Sequence, residues 1–304
     1  MATHKAARGL NDDAAVLPWP TGLDLVATHD MLIEGVHFTP DCPASDVAWK
    51  LVAVNLSDLA AMGARPVALL MGAGFGAGRD ADWADAFAAG LGRVTAHFAV
   101  PLIGGDTTRS LHETALAITA LGSVPPGQSL SRAGGQPGDD LWVSGTIGDA
   151  GLGLDLLLGR RATTDAALHR KLIGCYRRPM PRVQTGLALR GLASAAMDVS
   201  DGLLIDARRL AAASGCAAEI ELAAVPVSAV AQGLLGAPTM AERTHLATSG
   251  DDYELLFAAP SSARARIRAA AGVAVTRIGR LTEGDGEVRL VDAPTPENLG
   301  YEHL

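Results

Sequence analysis

Aromatic residues are scarce in this chain: Phe, Trp and Tyr together make up 4% of its 304 residues. With 35 glycines against so few rings, close backbone approach and tight turns are favoured over bulky ring packing. Cysteine is scarcer still. Cys42, Cys175 and Cys216 stand far apart with no CxxC or Cys/His spacing, so they read as small core residues in a reducing compartment, and a zinc site or disulfide framework is disfavoured. No run of about 18 apolar residues is present, which excludes a spanning helix of ordinary length. Met1–Asp13 carries basic residues but no apolar stretch of the kind a secretory signal needs. A soluble, cytoplasmic protein with no membrane partner is expected. Positive charge is also short: 25 Lys and Arg face 33 Asp and Glu, for a net charge of −8. That balance argues against a nucleic-acid partner. Finally, the chain has no GxxxxGK[ST] loop. Its one glycine-dense segment, GAGFGAG at 72–78, lacks the Lys and the following Ser or Thr and reads as a loop after a strand. No HRD or DFG set of the protein kinases appears.

What is present is enough for two domains of about 100–200 residues each, with 48% hydrophobic and 19% charged residues. Short strands are expected at 23–27, delivering Thr28-His29-Asp30 at the end, and at 66–74, 100–103 (running into Gly104-Gly105-Asp106) and 114–124. Helices are expected at 44–64, where Val47, Leu51, Val54, Leu59 and Met62 recur at helical spacing, and at 80–99. A turn-rich stretch over 127–139 marks a boundary. Beyond it the pattern restarts with a strand at 140–144, helices near 152–160, 181–192 and 202–214, and strands ending near 198, 222 and 258. Strands and helices mixed in both halves predict two α/β or α+β domains.

Six acidic clusters lie in tight Gly- or Ser-containing contexts: Asp12-Asp13, Asp30, Asp58, Asp106, Asp198 with Asp201, and Asp251-Asp252 with Glu254. Taken singly, each has an ordinary explanation as a turn residue or helix cap. Asp58 is the exception. It follows Asn-Leu-Ser and precedes an Ala/Met/Gly run, so its helix is packed on several sides, where a carboxylate is costly unless paired or metal-bound. Asp106 follows two glycines and precedes two threonines and Arg109, a setting that lets backbone pass close to a ligand. Carboxylate and hydroxyl oxygens are hard donors suited to Mg²⁺. Several such ions make sense where polyanions must be brought together.

In order along the chain, DDAAVL, HDMLIEGVHF, NLSDLAAMGARP, GGDTTRS, RAGGQPGDDLWVSGTIGDAGLGL, MDVSDGLL and SGDDYELLF resemble the thiamine-monophosphate kinases. NLSDLAAMGA with GGDTTRS is the specific combination. The resemblance runs from about Leu10 to the terminal GYEHL. Single motifs are shared with aminoimidazole ribonucleotide synthetase, selenophosphate synthetase and a hydrogenase maturation protein. It implies a two-domain aminoimidazole ribonucleotide synthetase-like fold. Residues 1–130 would form an ATP- and Mg²⁺-binding domain that pairs in a homodimer, and residues 131–304 a domain completing the ATP and substrate site. It further implies metal ligation by Asp13, Thr28, Asp30, Asp58, Asp106, Asp198 and Asp201. ATP contacts would come from Gly105, Asp106, Arg132 and Ser200, and thiamine monophosphate contacts from His37, Asp251 and Tyr301. Asp58, Asp106 and Arg132 would carry the catalysis. Without the joint pattern His37 would be a core or loop histidine, Arg132 an ordinary loop arginine and Tyr301 a terminal aromatic docking on the surface. Asn11 stands where the family has Gly, His29 replaces a hydroxyl residue that helps hold metal, and Asp251 replaces Glu.

The implied reaction is direct in-line transfer of the ATP γ-phosphoryl group to the phosphate of thiamine monophosphate. Two alternatives remain at this point. A sister ATP-dependent synthase is disfavoured because GGDTTRS has Asp where the purine synthetase would show GGETA, and because no cysteine sits in a Gly-rich N-terminal loop or at the C-terminus. A non-catalytic nucleotide-binding dimer is disfavoured by the retained aspartates.

Overall fold

A computed structural model describes residues 2–302, so the last two residues of the GYEHL motif lie outside the described chain. The chain divides into two compact units. The first comprises Met1–Leu59 and Ala64–Gly127, and the second Gln128–Leu304 together with Ala60–Gly63.

The first unit is built on a four-stranded sheet in the order β1-β4-β2-β3. Its strands are β1 (Asp24–Ile33), β2 (Arg65–Phe75), β3 (Leu102–Arg109) and β4 (Ala115–Val124). Strand β4 pairs antiparallel with both β1 and β2, while β2 and β3 run parallel. Two of these strands are longer than the sequence indicates. Thr28-His29-Asp30 lies inside β1 and not at its end, and Gly104–Arg109 continues β3 as strand. Pairing with neighbouring strands holds both segments extended despite Gly, Asp and Thr residues of modest strand preference. Helices α1 (Ala44–Ala61) and α2 (Ala81–His97) complete the unit. Leu116, Ile118 and Ala120 alternate as buried residues along β4 and Leu32 is buried on β1, as expected for a sheet covered on one face. Helix α1 occupies that side, as its Asn55 and Asp58 bond to β1. Gly90 of α2 lies against Ser45 and Ala48 of α1, too close for a Cβ. On the opposite face Leu25, Met31 and Ile33 are exposed.

The second unit holds a six-stranded sheet in the order β10-β7-β9-β5-β8-β6. The strands are β5 (Asp140–Ser144), β6 (Ala195–Val199), β7 (Cys216–Ile220), β8 (Glu254–Ala259), β9 (Val275–Glu283) and β10 (Val288–Leu290). All neighbours are antiparallel except β10 and β7. Every residue of β5, β6 and β8 is buried, because apolar layers cover both faces. On one side Leu141, Val143, Met197 and Leu256 meet Leu203, Leu204, Ala207 and Leu210 of α6 (Leu203–Ser214). On the other, Trp142, Ala196, Leu255 and Phe257 meet Leu189 of α5 (Val183–Leu189) and Ile267 of α9 (Arg264–Ala270). Helices α3 (Asp149–Leu157), α4 (Ala166–Arg177), α7 (Ala229–Leu235) and α8 (Met240–Thr248) gather around a smaller apolar cluster that includes Leu152, Leu172, Ala231 and Leu246. Helices α4, α7, α8 and α9 are absent from the sequence reading; the apolar face of α4 is narrow, with only Leu172, Ile173 and Tyr176 buried.

Trp142 and Phe257 stack across neighbouring strands at 6.3 Å between centroids and 6° between planes. Phe257→Ala should therefore lower stability by about 3–5 kcal/mol. Denaturant unfolding followed by Trp fluorescence checks this, and a loss under about 1 kcal/mol would contradict the packing.

Candidate active site

The first unit's oxygen donors start from the alternation of β1. Thr28 and Asp30 are two residues apart, so both side chains emerge toward α1, while His29 between them faces the other way. Thr28 Oγ1 donates to Asp58 Oδ2 at 2.5 Å, and the Asp30 backbone N–H donates to Asn55 Oδ1 at 3.0 Å. Asn55 is fully buried and its amide also donates to the Leu51 carbonyl at 2.9 Å, which fixes the side chain. Asn55 and Asp58 are three residues apart on one helix, hence on one face. Helix α1 thus sets both a partner for the Asp30 backbone and a carboxylate beside Thr28. His29 sits on the exposed side, its Nδ1 2.9 Å from Thr119 Oγ1 on β4. The structure therefore separates His29 from the Thr28–Asp58 pair.

Asp106 lies exposed on β3 and its Oδ1 accepts the Thr107 N–H at 2.8 Å. The preceding Gly105 has φ +153°, and a Cβ there would fall 2.0 Å from the Met71 carbonyl oxygen. Only glycine permits so close an approach of β2 and β3. A cavity of about 360 Å³ opens beside this point, lined by Met71, Phe87, Leu91, Leu102, Gly105 and Asp106 among others. His37 is half-buried, and its Nδ1 accepts the Ile33 N–H at 3.0 Å, which leaves Nε2 as the position for the ring proton in the neutral form. The buried Lys50 ammonium donates to the His37 carbonyl at 3.0 Å. Asp13 is exposed on a bend at 12–14, while its neighbour Asp12 pairs with Arg8 at 2.6 Å.

In the second unit the remaining residues other than Arg132 cluster at the junction of β6 and α6. Asp198 is buried near the end of β6, and Ser200 and Asp201 form the loop. Asp206, fully buried one turn into α6, accepts the backbone N–H of Ser200 at 3.0 Å and of Asp201 at 3.1 Å through Oδ2. Arg209 Nη1 donates to Asp206 Oδ1 at 2.7 Å and to Asp201 Oδ2 at 2.5 Å. Burial pushes the Asp206 carboxyl up to about 6, against the lowering effect of those N–H groups and of Arg209. The Ser200 carbonyl accepts the Asp251 N–H at 2.8 Å, and the Asp201 carbonyl accepts the Tyr301 N–H at 2.9 Å. Ser200, Asp201, Asp251 and Tyr301 are thereby brought together. Asp251 and Tyr253 both adopt left-handed φ, +69° and +51°, a conformation that costs a non-glycine residue energy and recurs at ligand-binding loops. Arg132 is exposed on the loop before β5, its carbonyl accepting from Ser214 at 2.9 Å.

Sequence reasoning missed the residues that hold this loop cluster. Asp206 was recoverable, since it shares the apolar face of LLIDARRL with Leu203 and Leu210. In the sequence Asp252 stands out only as part of an acidic run. Its carboxylate accepts the Gly148 N–H at 2.8 and 3.0 Å, capping the start of α3 from a distant loop, which no local pattern reveals. Glu254 takes a two-pronged ion pair from Arg182 and the Ser144 hydroxyl at 2.5 Å.

Among the described residues no group of three or more His, Cys, Asp or Glu side chains is gathered as a metal-binding cage. The donors are carboxylates in ones and twos with a hydroxyl, the arrangement that suits Mg²⁺, which is held by one or two carboxylates plus substrate phosphates.

Two mixed sheets carrying these aspartates define an AIR synthase-related protein: residues 11–124 match the AIR synthase related protein N-terminal domain, and residues 136–292 the C-terminal domain. Thiamine-monophosphate kinase of Caulobacter vibrioides is 43% identical over 304 residues, covering 98% of this chain and 85% of its own. That of Escherichia coli K12 is 40% identical, covering 97% and 91%. Among solved structures, thiamine-monophosphate kinase from Stenotrophomonas maltophilia superposes with a TM-score of 0.85 at 40% identity over 94% of this chain and 91% of that one. AaThiL complexed with AMPPCP and TMP gives 0.83 at 28% identity over 96% and 91%. The chain belongs to the thiamine-monophosphate kinase family.

Desolvation raises the Asp252 carboxyl well above its ordinary value, opposed by the Gly148 and Ala150 N–H groups. Above pH 4 the folded protein thus keeps a proton that the unfolded chain releases, and stability falls as pH rises toward the folded-state value. Asp252→Asn keeps an acceptor for the α3 cap and removes this titration. Its unfolding free energy should fall less steeply above pH 4 than that of the unaltered protein, and parallel profiles would place the titrating group elsewhere.

Proposed function

We propose that this chain transfers the γ-phosphoryl group of ATP to the phosphate of thiamine monophosphate, giving ADP and thiamine diphosphate. The observation that carries the reading is the Thr28–Asp58 oxygen pair, with Asp30 two residues further along β1 and its backbone N–H held by Asn55 of α1. Its family membership supports the same reaction. Thr28, Asp30, Asp58, Asp106 and Asp13 in the first unit, and Asp198 and Asp201 in the second, are the residues that would hold Mg²⁺. When bound, these ions supply the positive charge that lets two polyanions approach.

The chain's own residues have three tasks. Gly105 and Asp106 border the cavity of about 360 Å³, within the usual range of small-molecule sites, about 300–1,000 Å³, and this cavity takes the nucleoside part of ATP. Arg132 and the Ser200 hydroxyl bind phosphate oxygens. His37, Asp251 and Tyr301 hold the thiamine monophosphate, with Asp251 set in its left-handed conformation by the Ser200 carbonyl. The acceptor is a phosphate monoester, whose second pKa is about 6, so its oxygen is already anionic near neutral pH. No side chain has to remove a proton, and positioning plus charge neutralisation suffice.

We also infer that the active form is a homodimer in the cytoplasm. The open face of the first unit's sheet leaves Leu25 56% and Met31 48% exposed on one edge strand, and a second copy of the same face is the occupant that the resemblance implies. Met31→Asp should convert a dimer into a monomer in sedimentation analysis; a monomer before the change would remove the inference.

The decisive assay supplies ATP and Mg²⁺ with thiamine monophosphate, and free thiamine in a parallel reaction. Metal-dependent thiamine diphosphate from the monophosphate alone is expected. Thiamine phosphorylated at its hydroxyl, or no product from a folded protein that binds ATP, would overturn the assignment. Asp58→Asn should lower kcat at least about 100-fold, the scale of losing one charge-stabilising group, with the circular dichroism spectrum unchanged. Unaltered turnover would remove Asp58 from the metal set.

A further inference from the structure

Arg209 occupies an unusual place for a residue outside the proposed ligand set. One of its nitrogens, Nη1, touches two carboxylates at once, Asp201 at 2.5 Å and Asp206 at 2.7 Å. These two acids differ in how firmly they are held. Asp206 is fully buried and anchored by two backbone N–H groups. Asp201 is 17% exposed at its side chain and sits on the loop. Arg209 is itself about one-third exposed. If one contact is exchanged, Asp206 retains the guanidinium while Asp201 is released, so nothing needs to be expelled from the interior.

We propose that Arg209 is a resident counter-ion for Asp201, holding that carboxylate when no divalent cation is bound and weakening cation binding there by direct competition. The inference rests on the reading of Asp201 as a metal ligand. A guanidinium keeps its charge at any pH a protein survives, so the competition is permanent. It also gives the loop a defined geometry before metal arrives: with Asp198, Asp201 and Asp206 within a nine-residue stretch, an uncompensated set of carboxylates would repel one another. Metal uptake at Asp201 is then an exchange of one cation for another, with affinity set by how readily Arg209 lets go. Lysine would not substitute fully, because its ammonium is a compact, strongly hydrated charge on a flexible stem and holds a position shared between two carboxylates less firmly than a guanidinium.

The test measures Mn²⁺ binding to the full-length, nucleotide-free protein from the free-ion signal in electron paramagnetic resonance. Four proteins are compared: unaltered, Asp201→Asn, Arg209→Gln and Arg209→Lys. Asp201→Asn should lose or weaken one Mn²⁺, which identifies the site concerned. At that site Arg209→Gln should bind Mn²⁺ about fivefold more tightly or better, the scale of losing one well-placed ion pair, and Arg209→Lys should fall between. Should Arg209→Gln fail to fold, the double variant Asp206→Asn with Arg209→Gln removes the buried carboxylate left without its partner and is measured instead. Unchanged or weaker binding in a folded Arg209 variant, with the site still lost in Asp201→Asn, overturns the counter-ion role and leaves the metal assignment standing. Binding in Asp201→Asn identical to the unaltered protein overturns both.

Discussion

A carboxylate buried away from water has to be satisfied by hydrogen bonds or by an opposite charge, and the second unit turns that requirement into loop geometry. Asp206 accepts the two N–H groups that open the Ser200–Asp201 loop. Asp252 accepts the N–H at the start of α3. Asp140 is held by both Arg264 and Arg277, which with desolvation opposing them keep its carboxyl below the ordinary range. In the first two cases the acid, fully buried at Asp206 and half-buried at Asp252, is the fixed member and the loop is what it shapes. Ser200 and Asp201 owe their positions to Asp206, and through their carbonyls they in turn place Asp251 and Tyr301.

The first unit solves the same positioning problem differently. Apart from Asp13 on its bend, its donors sit on regular elements, and the directions of those facing α1 follow from the two periods of secondary structure: two residues along β1, three along α1. Thr28 and Asp30 emerge together because they are two apart, and Asn55 and Asp58 face them because they are three apart. Polar groups among so many buried apolar neighbours leave α1 with little freedom to shift. Val47, Leu51, Val52, Val54 and Leu59 are all at or below 1% exposure, so movement of Asp58 relative to Thr28 would require repacking the helix.

This difference explains what could be read in the sequence. Where a site residue's surroundings are local and periodic, the pattern carries them: the burial of the Asp58 helix, the extent of α1 and α2, and the strand at 140–144 all follow from spacing. Where the partner is remote, the pattern is silent. Asp252 and Gly148 are 104 residues apart, and Glu254 and Arg182 are 72 apart, so nothing near either residue advertises the pairing. The strands run on through Thr28–Asp30 and Gly104–Arg109 because ladder pairing, not local preference, keeps those segments extended. His29 is the clearest case of geometry adding to motif. The resemblance implies a hydroxyl residue that helps hold metal at this position, while strand alternation sends His29 to Thr119 on the other face.

The form in which the donors are presented bears on which reaction they serve. Carboxylates offered singly and in pairs leave most of a cation's coordination sphere to other oxygens, and phosphates are the natural source of those oxygens. A closed cage would bind metal regardless of substrate; an open set binds it most strongly when the polyanion is there to complete it. If these residues hold Mg²⁺ as proposed, metal and nucleotide stabilise each other's binding, and by linkage the effect is mutual. For a reaction whose two substrates repel, the proposed arrangement would place the neutralising charge where and when the phosphates meet, without a permanently charged pocket that would hold the product as firmly as the substrate.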